Sequence, residues 1–254
     1  MDHPKIRLVL CDVDGTLLDK GQTVVSSAVF HTIRQSVSCG VQFVIASGRS
    51  YPDLKSLFAP VVSIVSFICC DGALAVKNGG ILYQATLEKA VVNTLFDKIA
   101  LSGQESLVIY GRDHTYCFGN NDLFKTSTPV TSINEVYGNV YKLAFFKFSD
   151  QTKQAVRSFA AKSRQLSEIY ADSSWTEFVA FGTDKGSAAA ALQKQWDISS
   201  LETAAFGDNT NDFGMLRQAR LSFASPAAVS DIKRMCKFQT TSVTDEILNI
   251  LRER

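Results

Sequence analysis

Two acidic stretches near opposite ends of the chain carry the side chains best suited to chemistry. Asp12-Val13-Asp14-Gly15-Thr16 follows the apolar run Leu8-Val9-Leu10-Cys11, and Gly207-Asp208-Asn209-Thr210-Asn211-Asp212 follows Ala204-Ala205-Phe206. Each apolar run has the composition of a short strand buried on both faces. Ligands of an open parallel sheet bind beyond the carboxyl ends of its strands. If the two strands are neighbours in one sheet, Asp12, Asp14, Asp208 and Asp212 converge on a single crevice. Carboxylates brought that close repel unless they share a proton or a cation. An all-oxygen cluster of this kind suits a hard cation such as Mg²⁺.

Single residues suggest separate tasks, each with a plainer alternative. Asp12, at a strand tip, can attack an electrophile, since carboxylate nucleophiles form aspartyl-phosphate intermediates. Asp14 can protonate a leaving oxygen and then activate water, and Gly15 permits a sharp turn. The same residues also suit an ordinary turn or helix cap. Ile45-Ala46-Ser47-Gly48-Arg49 ends another apolar run, so the Ser47 hydroxyl beside Gly48 can donate to a phosphoryl oxygen or simply belong to a strand-to-helix turn. Lys185 stands in the first turn of an alanine-rich helix, where the helix dipole opposes a cation. It is either solvated there or neutralises phosphate and carboxylate charge. Asn211 or Asp212 could cap a helix. His3, His31 and His114 have no ligand spacing, which argues against a zinc site or a histidine-based triad. Arg112, Tyr110, Tyr116 and Phe118 suit packing better than substrate contact, and Ser225-Pro226-Ala227 reads as a helix entry.

The elements that must position these residues follow from periodicity. Residues 6–11, 41–46 and 61–70 read as buried strands, and residues 26–39 and 52–58 as the helices between them. That alternation predicts a parallel sheet with right-handed crossovers. From about 80 to 182 the order becomes irregular. Helices are expected at 86–100 and 150–163, with short strands at 106–110, 115–118, 141–146 and 177–179 and a hairpin turn at Gly111-Arg112-Asp113. Alternation then resumes, with helices at 186–196, 212–219, 227–236 and 244–251 and strands at 203–206 and 221–224. The expected fold is α/β: a doubly wound, Rossmann-like parallel sheet built from residues 1–81 and 183–254, with an α+β domain inserted at 82–182.

Composition narrows the partners. The chain has 254 residues, 46% of them hydrophobic, and its 26 Lys and Arg balance 25 Asp and Glu to a net charge of +1. That balance gives no support for nucleic-acid or membrane-surface binding. Six cysteines include no CxxC pair, and adjacent Cys69 and Cys70 would point to opposite faces of a strand. Buried thiols in a reducing compartment are the expectation. Residues 1–7 lack the apolar stretch of a signal peptide, and no apolar run approaches eighteen residues. The expected setting is cytoplasmic, with monomer and dimer equally compatible.

The four motifs, in this order, resemble those of the haloacid dehalogenase-like phosphatases, in particular the Cof-type sugar-phosphatase branch: Asp12-Val13-Asp14-Gly15-Thr16, Ser47-Gly48-Arg49, Lys185-Gly186 and Gly207-Asp208-Asn209-Thr210-Asn211-Asp212. The resemblance covers residues 5–80 and 183–250, and the insert matches that branch's cap in position and approximate size. It implies Mg²⁺-dependent hydrolysis of small phosphorylated metabolites. Asp12 would be nucleophile and metal ligand, and Asp14 acid/base with its backbone carbonyl on the metal. Ser47, Gly48, Lys185 and Asn211 would hold phosphate, Asp208 would complete the metal site, and Asp212 would support metal-bound water. A phosphosugar mutase of the phosphomannomutase kind and a non-catalytic phosphometabolite-binding protein are the alternatives. One departure is visible: Cys70-Asp71-Gly72-Ala73 stands where the branch usually has Asn-Gly-Ala, which adds a negative charge near the phosphate entrance.

Overall fold

The computed structural model describes residues 5–252 except 20, 101–105, 121, 123, 147–148 and 174; His3 lies outside the described residues. In chain order the elements are β1 (Leu8–Asp12), α1 (Ser27–Ser38), β2 (Gln42–Ala46), α2 (Tyr51–Leu57), β3 (Ser66–Cys69), β4 (Leu74–Lys77) and β5 (Gly80–Gln84). Then follow α3 (Lys89–Ala100), β6 (Ser106–Tyr110), β7 (Thr115–Phe118), β8 (Thr128–Val130), β9 (Lys142–Phe146), α4 (Asp150–Ser163), β10 (Leu166–Ala171) and β11 (Trp175–Ala180). The chain ends with α5 (Lys185–Trp196), β12 (Thr203–Gly207), α6 (Phe213–Arg217), β13 (Leu221–Ala224), α7 (Ser230–Met235), β14 (Phe238–Gln239) and α8 (Val243–Arg252).

The chain divides into two compact units, one of residues 1–49, 53–83 and 184–254, the other of residues 50–52 and 84–183. The first holds an eight-stranded sheet of order β14-β13-β12-β1-β2-β3-β4-β5, parallel from β14 to β3 and antiparallel from β3 to β4. All five β1 residues are buried, as a central parallel strand covered on both faces requires. Their side chains alternate between faces: Leu8 and Leu10 join Val44, Ala188, Ala189, Leu192 and Leu216 in one apolar cluster. The chain leaves β1 toward β2 but leaves β12 toward β13. The sheet therefore has its switch point between β1 and β12, where open α/β sheets form a binding crevice.

The second unit holds a six-stranded sheet of order β10-β11-β9-β6-β7-β8, antiparallel except between β7 and β8. α3 and α4 supply Val92, Leu95, Phe96 and Val156 to a core shared with Leu107, Ile109, Leu143 and Phe178. Tyr110 and Tyr116 are buried, and Phe118 packs on Phe96 with ring centroids 4.6 Å apart.

Several expectations need correction. The strand expected at 61–70 is only Ser66–Cys69; Ala59–Val61 forms a 3-10 turn containing Pro60, so apolar composition there marks core rather than strand. Cys70 leaves the strand with φ 51°, and the neighbouring Cys69 and Cys70 are buried and outside any disulfide. β4, β5, β8, β10 and β14 are additional. Strands such as Gly80–Gln84 and Leu166–Ala171 lie half-exposed in ladders whose partners no local pattern specifies. Ser225-Pro226-Ala227 is not a helix entry, since α7 begins at Ser230.

Candidate active site

Register places three strand tips side by side. Asp12 of β1 pairs with Ala46 of β2, one residue before Ser47, and Cys11 pairs with Phe206 of β12, one residue before Gly207. Beyond β1 the chain turns sharply: Leu17 and Thr16 donate backbone bonds to Asp12 and Val13, and Gly15 adopts φ 91°. Beyond β12, Asn209 caps a 3-10 turn, Thr210–Asp212, accepting from the Thr210 N–H. Asp212 stands at the N-cap position of α6, as expected, but makes no side-chain capping bond there; Asn209 makes the one at the turn before it. Ser225 joins the two loops, donating from Oγ to the Gly15 carbonyl at 2.7 Å and from its N–H to the Gly207 carbonyl at 3.0 Å.

At this junction Asp12, Asp208 and Asp212 are buried, with carboxylate oxygens within 4.8 Å of one another. Lys185 projects into them from the first turn of α5. Its Nζ lies 2.6 Å from Asp12 Oδ1 and 2.7 Å from Asp212 Oδ1, and the residue is 1% exposed. The helix dipole that disfavours a cation at this position is outweighed by two carboxylates at contact. α5 enters this closely because Gly186 packs on Gly214 of α6: a Cβ on Gly186 would stand 2.4 Å from Gly214 backbone.

Two of the carboxylates, Asp212 and Asp12, are held differently. Asp212 has both oxygens engaged, Oδ1 by Lys185 and Oδ2 by the backbone N–H groups of Asp208 and Asn209 at 2.9 and 3.1 Å. Asp12 has one, because Oδ2 is buried with no hydrogen-bond partner. Burial and repulsion from Asp212 and Asp208 outweigh the Lys185 ammonium and push the Asp12 carboxyl up to about 8. Lys185 is raised above its ordinary value, the pull of Asp12 and Asp212 exceeding the effect of burial. A buried, unpartnered carboxylate oxygen facing two more carboxylates fits a hard divalent cation. In the same turn, Thr16 Oγ1 is also buried without a partner, an oxygen that the motif reading left out.

Asp14 does not join the cluster. Half-exposed, it is gripped by Arg49 in a two-pronged ion pair, Nη2 to Oδ1 at 2.6 Å and Nε to Oδ2 at 2.9 Å. The expected convergence of four carboxylates is therefore a convergence of three, because the Arg49 fork supplies Asp14 with its own counter-charge. A planar fork three residues past the end of β2 is the only local signal that marks Arg49. Ser47 is buried, and its Oγ accepts from the Arg49 N–H at 3.2 Å, leaving the hydroxyl proton to donate elsewhere. Asn211 Nδ2 donates to Asp71 Oδ1 at 3.0 Å. Gly48 lacks a side chain for a steric reason, since a Cβ there would stand 2.7 Å from Asp71 Oδ2.

The family model of haloacid dehalogenase-like hydrolases matches residues 9–248. The 5-amino-6-(5-phospho-D-ribitylamino)uracil phosphatase YbjI of Escherichia coli is 26% identical over 97% of this chain and 95% of its own length. A haloacid dehalogenase-like hydrolase from Bacteroides thetaiotaomicron superposes with a TM-score of 0.86 at 20% identity, covering 97% of this chain and all of that one. The HAD subclass IIB sugar phosphatase BT4131 superposes with a TM-score of 0.75 at 18% identity, over 94% and 95% of the two chains. With its motifs at the strand tips of that fold, the chain belongs to the haloacid dehalogenase-like hydrolase family.

Proposed function

We propose that the protein is a Mg²⁺-dependent hydrolase of small phosphomonoesters, sugar phosphates among them, working through an aspartyl-phosphate on Asp12. The observation that carries this reading is the Asp12 carboxylate itself. One oxygen is held by Lys185 and the other is buried and unpartnered beside Asp208 and Asp212. In the first step an Asp12 oxygen attacks phosphorus, the ester P–O bond breaks, and Asp14, protonated in the substrate-bound form, gives its proton to the departing alkoxide. In the second, water attacks the same phosphorus while Asp14 takes its proton; the bond to Asp12 breaks and inorganic phosphate leaves. Ser47, Lys185, Asn211 and the backbone at Gly48 hold the phosphoryl oxygens.

Asp12, Asp208 and the backbone carbonyl of Asp14 would hold the metal, with Asp212 orienting the loop through its engaged oxygens. The cation supplies charge neutralisation that lets an anionic nucleophile approach an anionic phosphoryl group. The inserted domain, expected at residues 82–182, would act as a cap selecting the leaving group. Its sheet face opposite the α3–α4 core bears a buried ion pair, Lys142 to Glu177 at 3.2 Å, with the ammonium 4.7 Å from the Tyr110 ring centroid. The relative acting on a phosphoribityl compound supports a small polyol or sugar phosphate as the substrate class. A cytoplasmic setting suits cysteines that form no disulfide, and no helix among the described residues is long and apolar enough to cross a membrane.

The test is a panel of phosphorylated metabolites with released phosphate measured. The expected result is release from sugar or polyol phosphates. Conversion of a hexose 1-phosphate to its isomer without free phosphate would identify a mutase instead, and binding without turnover across the panel a non-catalytic protein.

Arg49 gives a second expected result. Arg49→Ala frees the Asp14 carboxylate without touching the Asp12–Lys185 pair, so kcat should fall roughly tenfold with KM nearly constant. Steady-state kinetics on one good substrate decides it; an unchanged kcat would remove Arg49 from the proton-transfer assembly.

A further inference from the structure

We propose that Ser225 is a positioning residue for the metal site, its buried hydroxyl fixing the turn that offers the Asp14 carbonyl against the loop that carries Asp208. The inference rests on the Mg²⁺ reading above. Ser225 directly follows β13, whose last residue, Ala224, pairs with Gly207 at the tip of β12, and it is 1% exposed. The Ala228 N–H donates to the Ser225 carbonyl at 3.1 Å, closing a tight turn with Pro226 in its second position. That turn brings the Val229 N–H to the Asp208 carbonyl at 2.9 Å, while the Ser225 N–H reaches the Gly207 carbonyl at 3.0 Å. Both peptide groups flanking the Asp208 Cα are thus pinned by residues 225–229. The same serine reaches the other loop through its side chain: Oγ donates to the Gly15 carbonyl at 2.7 Å.

The donors assigned to the metal come from both loops, Asp12 and the Asp14 carbonyl from one and Asp208 from the other. Mg²⁺ tolerates little departure from octahedral geometry, so its affinity depends on how firmly the two loops are held in register. The pairing of β1 with β12 ends at Cys11 and Phe206, before any of these donors. Gly15, at φ 91°, stands where backbone sterics set few limits, so its neighbours must fix it. Its N–H, in the same peptide as the Asp14 carbonyl, donates to the Leu18 carbonyl at 2.7 Å. Its own carbonyl is held by Ser225. Leu18 therefore fixes the Asp14–Gly15 peptide within its own turn, and Ser225 fixes that turn against the Asp208 loop. Lys185 joins the loops through the Asp12 and Asp212 carboxylates, whereas Ser225 joins their backbones.

Ser225→Ala removes the hydroxyl and keeps the N–H that holds Gly207. The buried Gly15 carbonyl then loses its donor, and its turn is free to drift. The experiment is calorimetric titration of the metal-free protein with Mg²⁺, with the unfolding midpoint measured in parallel in EDTA and in Mg²⁺. In Ser225→Ala, Mg²⁺ should bind roughly tenfold more weakly, the scale typical when a group that supports a metal ligand is removed. The rise in midpoint at a given Mg²⁺ concentration should shrink with it. Half-maximal turnover should need correspondingly more Mg²⁺, with a smaller change in kcat at saturating metal. Ser225→Cys, close in size but a weak donor, should shift Mg²⁺ affinity in the same direction and stands in should the alanine variant not fold. A serine that served only to stabilise the fold would, when replaced, lower the midpoint equally with and without metal. That result, or Mg²⁺ affinity unchanged or tighter in the variant, overturns the inference. Absence of Mg²⁺ binding by the wild-type protein would overturn the metal reading itself.

Discussion

Asp12→Asn should leave the core folded and reduce phosphate release by roughly 10⁴-fold or more, the scale of losing a nucleophile. The amide oxygen can still accept from Lys185, whose second partner, Asp212, is untouched. The amide cannot attack phosphorus. Stability argues in the same direction. In the folded protein the Asp12 carboxyl is raised from 3.8 to about 8. A carboxyl raised on folding is disfavoured in its charged form, and the stability lost grows as pH rises from about 4 toward 8. At pH 7 the neutral amide removes that repulsion, so the metal-free variant should unfold no earlier than metal-free wild type by circular dichroism. Turnover near the wild-type rate would eliminate Asp12 as nucleophile, whereas loss of the folded signal would leave the lost activity without catalytic meaning.

Chelation should have an effect of similar size. EDTA should abolish activity, and Mg²⁺ added in excess should restore it. The ground is the mismatch at the strand tips: three buried carboxylates face one ammonium, and Asp12 Oδ2 has no partner. A ligand that binds only the folded state stabilises it by about 2.7 kcal/mol at one hundred times its Kd. Mg²⁺ should therefore also raise the unfolding midpoint by several degrees, a readout independent of turnover. Chelator-resistant activity, or a midpoint indifferent to the metal, would contradict this account.

Much of the site was readable before any fold was known, because its chemistry sits on strand tips and strands announce themselves by short apolar runs. Asp12 and Ser47 follow such a run directly and Asp208 one glycine later, and their adjacency needs only that β12, β1 and β2 be neighbours. Lys185 was readable as a charge opposed by its own helix dipole, which called for a compensating anion. The pairings of Asp14 with Arg49 and of Asn211 with Asp71 were not readable in this way. They span 35 and 140 residues, and no periodicity encodes a side-chain bond across that distance. The same reason hid the half-exposed strands β5 and β10, whose identity comes from the ladder they join.

The amino-acid sequence by itself determined the family, the α/β core with its insertion, and the residue types at each strand tip, because local hydrophobic period and motif spacing carry that information. Tertiary structure alone decided how the charges are shared. It buried Lys185 between Asp12 and Asp212, drew Asp14 away to Arg49, and set Asp71 against Gly48 and Asn211. Ionisation and orientation depend on burial and on neighbours within a few ångströms, and those neighbours come from distant parts of the chain.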